Sequence, residues 1–262
     1  MKPLFARLAG VVAILCVGLT AGRADAGLIA VFGTNGIGGY LATQGHTVTQ
    51  VTDAQLATGG FLSGFDAFVY TRDGSSFGVG LSAAAAANVS AYVGATGNVV
   101  LFNGDFADGI PGDANIEQMF ANAANFAVAS GHGYVGEFTG AVAALTANGN
   151  GFSPLGLISG TAGPLGFGSG GSGGTVTITP AGVGSPVLAG VTLPYNPASV
   201  EFGASMSGVA SPLVVARFDG DNPAIIVRQG LANPVPAPAG LLLGLLGVVP
   251  TAGLLRRRAV TA

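Results

Sequence analysis

The chain has 262 residues, 49% of them hydrophobic, with 46 glycines, a composition that excludes a charged, disordered polymer and requires a packed core. Six of the nine basic residues are Lys2, Arg7, Arg23, Arg256, Arg257 and Arg258. Between Gly27 and Pro234 only Arg72, Arg217 and Arg228 stand against eleven acids, a charge of -8 without one lysine. This excludes nucleic acid as a partner, because phosphate binding needs clustered basic side chains.

In chain order, Lys2 and Arg7 open with positive charge, Leu8 to Thr20 is a thirteen-residue apolar run, and Ala24-Asp25-Ala26 sets small residues at cleavage positions. The pattern predicts a signal peptide over 1–26 that signal peptidase removes, with Ala24 and Ala26 as the cleavage pair and the mature chain starting near Gly27. An uncleaved anchor is the weaker alternative, since the run falls short of the roughly 20 residues a spanning helix needs. The single cysteine, Cys16, lies inside this segment and has no lipobox around it. The body therefore has no thiol for a disulfide, a metal or a nucleophile.

From Gly27 onward strands and helices alternate. Leu28 to Phe32 reads as a buried strand, Gly38 to Thr43 as a short helix, and Thr47 to Val51 and Ala67 to Thr71 as strands. Ser82 caps an alanine-rich helix to about Val93, Val99 to Phe102 is a strand, and Asn115 to Ala129 is an amphipathic helix. This alternation predicts an α/β fold, a single three-layer domain over 27–232 with a mainly parallel sheet. Beyond Gly140 the order weakens into Gly/Ser/Pro-rich turns. Strands are expected again at Thr175 to Thr179 and around Val200 to Phe202, and Leu213 to Phe218 with Ala224 to Arg228 form an antiparallel C-terminal pair.

Gly33, Gly36 and Gly39 after the first strand, then Gly45-His46-Thr47-Val48, look like the opening of an extended short-chain dehydrogenase. The helix that follows is too short, Asp53 comes early against the interval of about 20 residues, and a body without lysine has no Tyr-x-x-x-Lys, so that catalytic reading fails. The run FDAFVYTRDG and then LSAAAAANVSAYVGATGNVVLFNGD is similar to the class I glutamine amidotransferase-like (flavodoxin-like) domains. Gly184 to Gly190 and Asn222 to Val227 look like that family's closing elements. The resemblance implies the fold and not the chemistry, because active members carry a cysteine at a strand-to-helix elbow and this body has none.

Candidate chemistry in the body is sparse. His46 precedes a strand and reads as structural. His132 shares 131–137 with Tyr134 and Glu137, read as a loop after the long helix, and is the one candidate catalytic side chain. Asp105, Asp108 and Asp113 follow the fourth strand, where α/β sheets bind ligands. As oxygen donors they are candidates for Ca²⁺, but solvated loop acids are the default because they fit no EF-hand spacing. Gly170-Gly171-Ser172-Gly173-Gly174 matches G-x-S-x-G in letters only, since no strand-to-helix turn surrounds it. No cofactor is implied.

The segment 233–262 has three parts: Val235-Pro236-Ala237-Pro238, an apolar stretch 239–255 read as a transmembrane helix, and Arg256-Arg257-Arg258. It resembles the PEP-CTERM sorting signal, with Ala237 where that family carries glutamate. The resemblance implies an exosortase-type processing enzyme as partner, transient anchoring in the inner membrane, and delivery to the cell surface or extracellular matrix, with exopolysaccharide as a candidate partner. Physically, the prolines keep the motif out of a helix, the apolar run partitions into the bilayer, and the arginines hold the cytoplasmic side. A plain single-pass anchor is the alternative. For the body two readings stand open: a non-catalytic binding or structural module, or an extracellular hydrolase acting on glycan or peptide through His132 and the Asp105 to Asp113 loop. The second requires those side chains to converge on one pocket.

Overall fold

The computed structural model describes residues 26–33, 36–71, 81–138, 157–158, 160–165, 174–200 and 203–231. The first half supplies β1 (Leu28–Phe32), α1 (Ile37–Thr43), β2 (Thr47–Gln50), α2 (Asp53–Leu56), β3 (Ala67–Tyr70), α3 (Ala83–Val93), β4 (Val99–Asn103), α4 (Ala114–Val128) and β5 (Gly133–Phe138). The second supplies β6 (Thr161–Leu165), β7 (Thr177–Ile178), β8 (Ala204–Ser207), β9 (Val214–Arg217) and β10 (Pro223–Arg228). Eight strands form one mixed sheet in the order β2-β1-β3-β5-β4-β10-β9-β7, and β6 pairs with β8 in a separate ribbon. Strands β2 to β4 in that order run parallel; β10, β9 and β7 join antiparallel.

The order of the layers follows from handedness. Connections β1 to β2 and β4 to β5 step toward the β2 edge, and their helices α1 and α4 pack on one face of the sheet with Val31, Val69, Val100 and Phe102. Connections β2 to β3 and β3 to β4 step the other way, and α2 and α3 pack on the opposite face with Phe68, Leu101 and Tyr134. Reversing the step and the face together preserves a single crossover hand, as parallel sheets require. Local sequence starts the helices where expected: Ser82 Oγ accepts the Ala85 N–H at 3.3 Å, and Thr52 with Gln55 forms a capping box at α2. On the α4 face, Phe102 stacks on Phe120 at 4.5 Å between ring centroids. Each such buried ring contributes about 1.5–3 kcal/mol by leaving water.

Two expectations need correction. Of residues 131–137, read as a loop, all but the first two belong to the central strand β5 (Gly133–Phe138), which is buried at every position. Its two glycines and glutamate give a weak strand signal. Yet a Cβ on Gly136 would collide with the Tyr134 ring, so the residue that hides the strand from a propensity reading is required by its packing. The parallel strands also run 2-1-3-5-4, whereas the flavodoxin-like order is 2-1-3-4-5, so the last two are exchanged. Of the strand expected over Val200 to Phe202, Val200 is not in a strand and residues 201 and 202 lie outside the described set; the next strand, β8, begins at Ala204. No helix among the described residues is long and apolar enough to cross a membrane; the expected signal peptide, apart from Ala26, and the segment 233–262 lie outside them.

Candidate functional site

An α/β sheet offers a crevice where successive connections leave in opposite directions, beyond the carboxyl ends of the strands. Here that point lies between β1 and β3. The turn after β1 sits directly on the residue after β3: a Cβ on Gly33 would lie 2.6 Å from the Thr71 carbonyl oxygen, and Gly33 has a φ of +126° that side chains disfavour. Gln50 Nε2 donates to the Gly33 carbonyl at 2.7 Å and fixes the same turn. The backbones of Gly33 and Thr71 are therefore in close contact at this point.

Around it the sheet edge carries buried polar groups. Glu137, at the end of β5, is 2% exposed and its Oε1 accepts the Ala107 N–H. Asp105, 1% exposed, opens the 3-10 turn Phe106–Gly109. Asn103 is fully buried: its Nδ2 donates to the carbonyls of Ala204 (2.9 Å) and Pro223 (2.7 Å), and its Oδ1 accepts the Ala204 N–H at 2.8 Å. Burial, then Glu137 and Asp53, push the Tyr70 phenol well above its ordinary range. Burial, then Tyr70 and Glu137, do the same to Tyr134. Both phenols stay protonated at neutral pH.

The sequence-predicted residues separate across this frame. Asp113 caps α4, its Oδ1 accepting the N–H groups of Asn115 (3.1 Å) and Ile116 (3.2 Å), and its other oxygen accepts the Tyr195 hydroxyl. Asp108 is exposed. Among the described residues no three His, Cys, Asp or Glu side chains converge as metal ligands. His132 stands at the opposite edge of the sheet. It precedes β5, whereas Asp105 follows β4, and the two strands are parallel with Asn103 level with Phe138 at their carboxyl ends. There Nε2 of His132 meets Thr96 Oγ1 at 2.6 Å, and the ring stands edge-on to Tyr92 at 6.2 Å between centroids. The convergence that the hydrolase reading requires is not formed.

His46 lies at that same amino edge. It is 5% exposed and its Nδ1 accepts the Gly27 N–H at 3.2 Å. Burial lowers its pKa, which the Asn125 side chain partly opposes. Of the predicted cleavage pair, Ala26 is exposed and Ala24 lies outside the described residues, as do Val235, Pro236, Ala237, Pro238, Arg256, Arg257, Arg258 and all of the G-x-S-x-G match but Gly174.

Sequence reasoning missed the clip made by Asn103, which shows only as one more Asn in a strand-end turn. It also missed a groove of about 900 Å³ beside β7 and the β9–β10 turn, where Ile178, Thr179, Pro212, Arg217, Asp219 and Asp221 meet. Those six come from three separate stretches, and no local pattern joins them. Comparison with protein-family models, with curated proteins and with solved structures found no match to the chain.

Proposed function

We propose that the chain is an exported bacterial surface protein, addressed by its two ends, whose body is a non-catalytic binding or structural module. The signal peptide over 1–26 takes it across the inner membrane. The segment 239–255 then halts in the bilayer with Arg256, Arg257 and Arg258 on the cytoplasmic side, and presents Val235-Pro236-Ala237-Pro238 to an exosortase-type enzyme at the outer face. Seventeen apolar residues make roughly 25 Å of helix against a hydrocarbon core of about 30 Å, and Pro250 interrupts it, so the segment suits transit better than permanent residence. The released body, an α/β domain without a thiol nucleophile, works at the surface or in the extracellular matrix, with exopolysaccharide as its neighbour.

The observation that carries this reading is the ordered motif, apolar run and basic cluster over 235–258. The body is compatible with it: His132, Asp113 and Asn103 are engaged in holding turns, helix ends and strands. The test is sorting in a native exporting host of the whole chain against one ending at Asn233. Wild type should reach the surface or matrix while the truncated form stays in the periplasm. Equal distribution of the two would remove the tail from any sorting role.

A further inference from the structure

Gly27 occupies a position with three constraints. Its carbonyl accepts the Thr47 N–H at 3.0 Å, which starts the β1–β2 pairing. Its N–H donates to His46 Nδ1 in a buried bond of 3.2 Å. A Cβ would come within 2.6 Å of both Val128 methyl groups on α4, so only glycine fits without displacing the Val128 side chain. Ala26, one residue earlier, is exposed. The peptide bond between Ala26 and Gly27 thus joins an exposed residue to a buried one, and it coincides with the cleavage point expected from Ala24 and Ala26.

We propose that His46 is the receptor for the α-amino group that signal-peptide removal creates on Gly27. This rests on the export reading. Hydrolysis of the Ala26–Gly27 amide adds water across it, leaving a carboxylate on Ala26 and an amine on Gly27. One N–H of that amine keeps its place on Nδ1, so the neutral imidazole carries its proton on Nε2. The next residue along, Leu28, donates its N–H to Asp66 Oδ2 at 2.8 Å, which sets a carboxylate close to the new positive charge. The new terminus is thereby sewn into the sheet, and β1 does not fray from its first residue.

Composition supplies a clean test. Lys2 is the only lysine and leaves with the signal peptide, so the processed chain has one primary amine, that of Gly27. Protein recovered from a native exporting host is treated near neutral pH with an acetylating N-hydroxysuccinimide ester, folded and in urea, and followed by intact mass. The expected result is a chain that begins at Gly27 and labels at least about tenfold more slowly folded than unfolded, as a buried donor does. His46→Ala should label near the unfolded rate, and His46→Asn, whose Oδ1 stands where Nδ1 was, should stay protected.

A chain that begins at Gly27 yet labels equally fast in both states overturns the receptor and leaves export intact; this comparison needs no variant to fold. Protection that persists in His46→Ala overturns His46 as the acceptor. A chain that begins elsewhere, or is uncut, sinks the processing reading and this inference together.

Discussion

Strands β3 and β10 belong to one sheet but are held in it differently. β3 is Ala-Phe-Val-Tyr, buried at all four positions between α4 on one side and α3 on the other. β10 starts in proline and ends in Arg228, a guanidinium that donates to the carbonyls of Leu157 (2.6 Å), Gly94 (2.8 Å) and Gly97 (2.7 Å) at the end of α3. Its Pro223 carbonyl is tied to Asn103, and the neighbouring Asn222 donates to the Ala204 carbonyl while accepting the Met206 N–H. The parallel half is an apolar core between two layers of helix. The antiparallel half has less helix to lean on and is fastened by a few asparagines and one arginine that satisfy loop backbone. An apolar core loses stability in proportion to the volume removed, whereas a clip fails at one residue and releases whatever it held.

That contrast can be broken or sharpened by substitution. Phe68→Ala empties the middle of the parallel half and should cost about 3–5 kcal/mol, lowering protection against hydrogen exchange across the body in one cooperative loss. Asn103→Ala leaves the Ala204 N–H and the Pro223 carbonyl without that side chain, a cost of about 2–4 kcal/mol. Its exchange signature should be local, with β8 and β10 opening before β1 and β3; uniform loss would show that the halves are not separately held. Asp113→Ala removes the cap of α4 and should cost about 1–2 kcal/mol in urea unfolding, and Asp113→Asn should recover part of it.

The smallest effect is on pH. Burial holds His46 below its ordinary value of 6.5, so the unfolded chain takes up the proton first. Its stability contribution is whole above about pH 6.5 and declines as pH falls through the lower folded value. The groups facing it are the Gly27 nitrogen, just before β1, and the Asn125 side chain from α4, neither of which offers negative charge to rescue an imidazolium. An acid titration of stability with and without His46→Asn isolates this term; identical curves would assign the acid sensitivity elsewhere.

The legible parts of the fold are those in which local signals agree with tertiary demand. Ser82 before an alanine run, the valines of β4, and the turn between β9 and β10 all announce their elements within a few residues. β5 does not, because Gly133 and Gly136 are there for the neighbours they admit, Ala127 and Tyr134, and such a requirement leaves no periodic trace. The candidate site was legible in kind but not in arrangement. Acids after β4 lie at the carboxyl edge as expected, but His132 belongs to the other edge, and misreading β5 as a loop is what brought His132 and Glu137 together. A six-residue strand separates its two ends by about 17–20 Å, so one missed strand converts neighbours in sequence into residues on opposite sides of the molecule.

The most direct test of the central claim is the intact mass of the protein recovered from the envelope and the medium of a native exporting host. The expected result is a chain that begins at Gly27 and has lost Arg256, Arg257 and Arg258 with the apolar segment before them. A chain still ending at Ala262 would contradict sorting by tail removal and make this a protein that stays anchored where export leaves it.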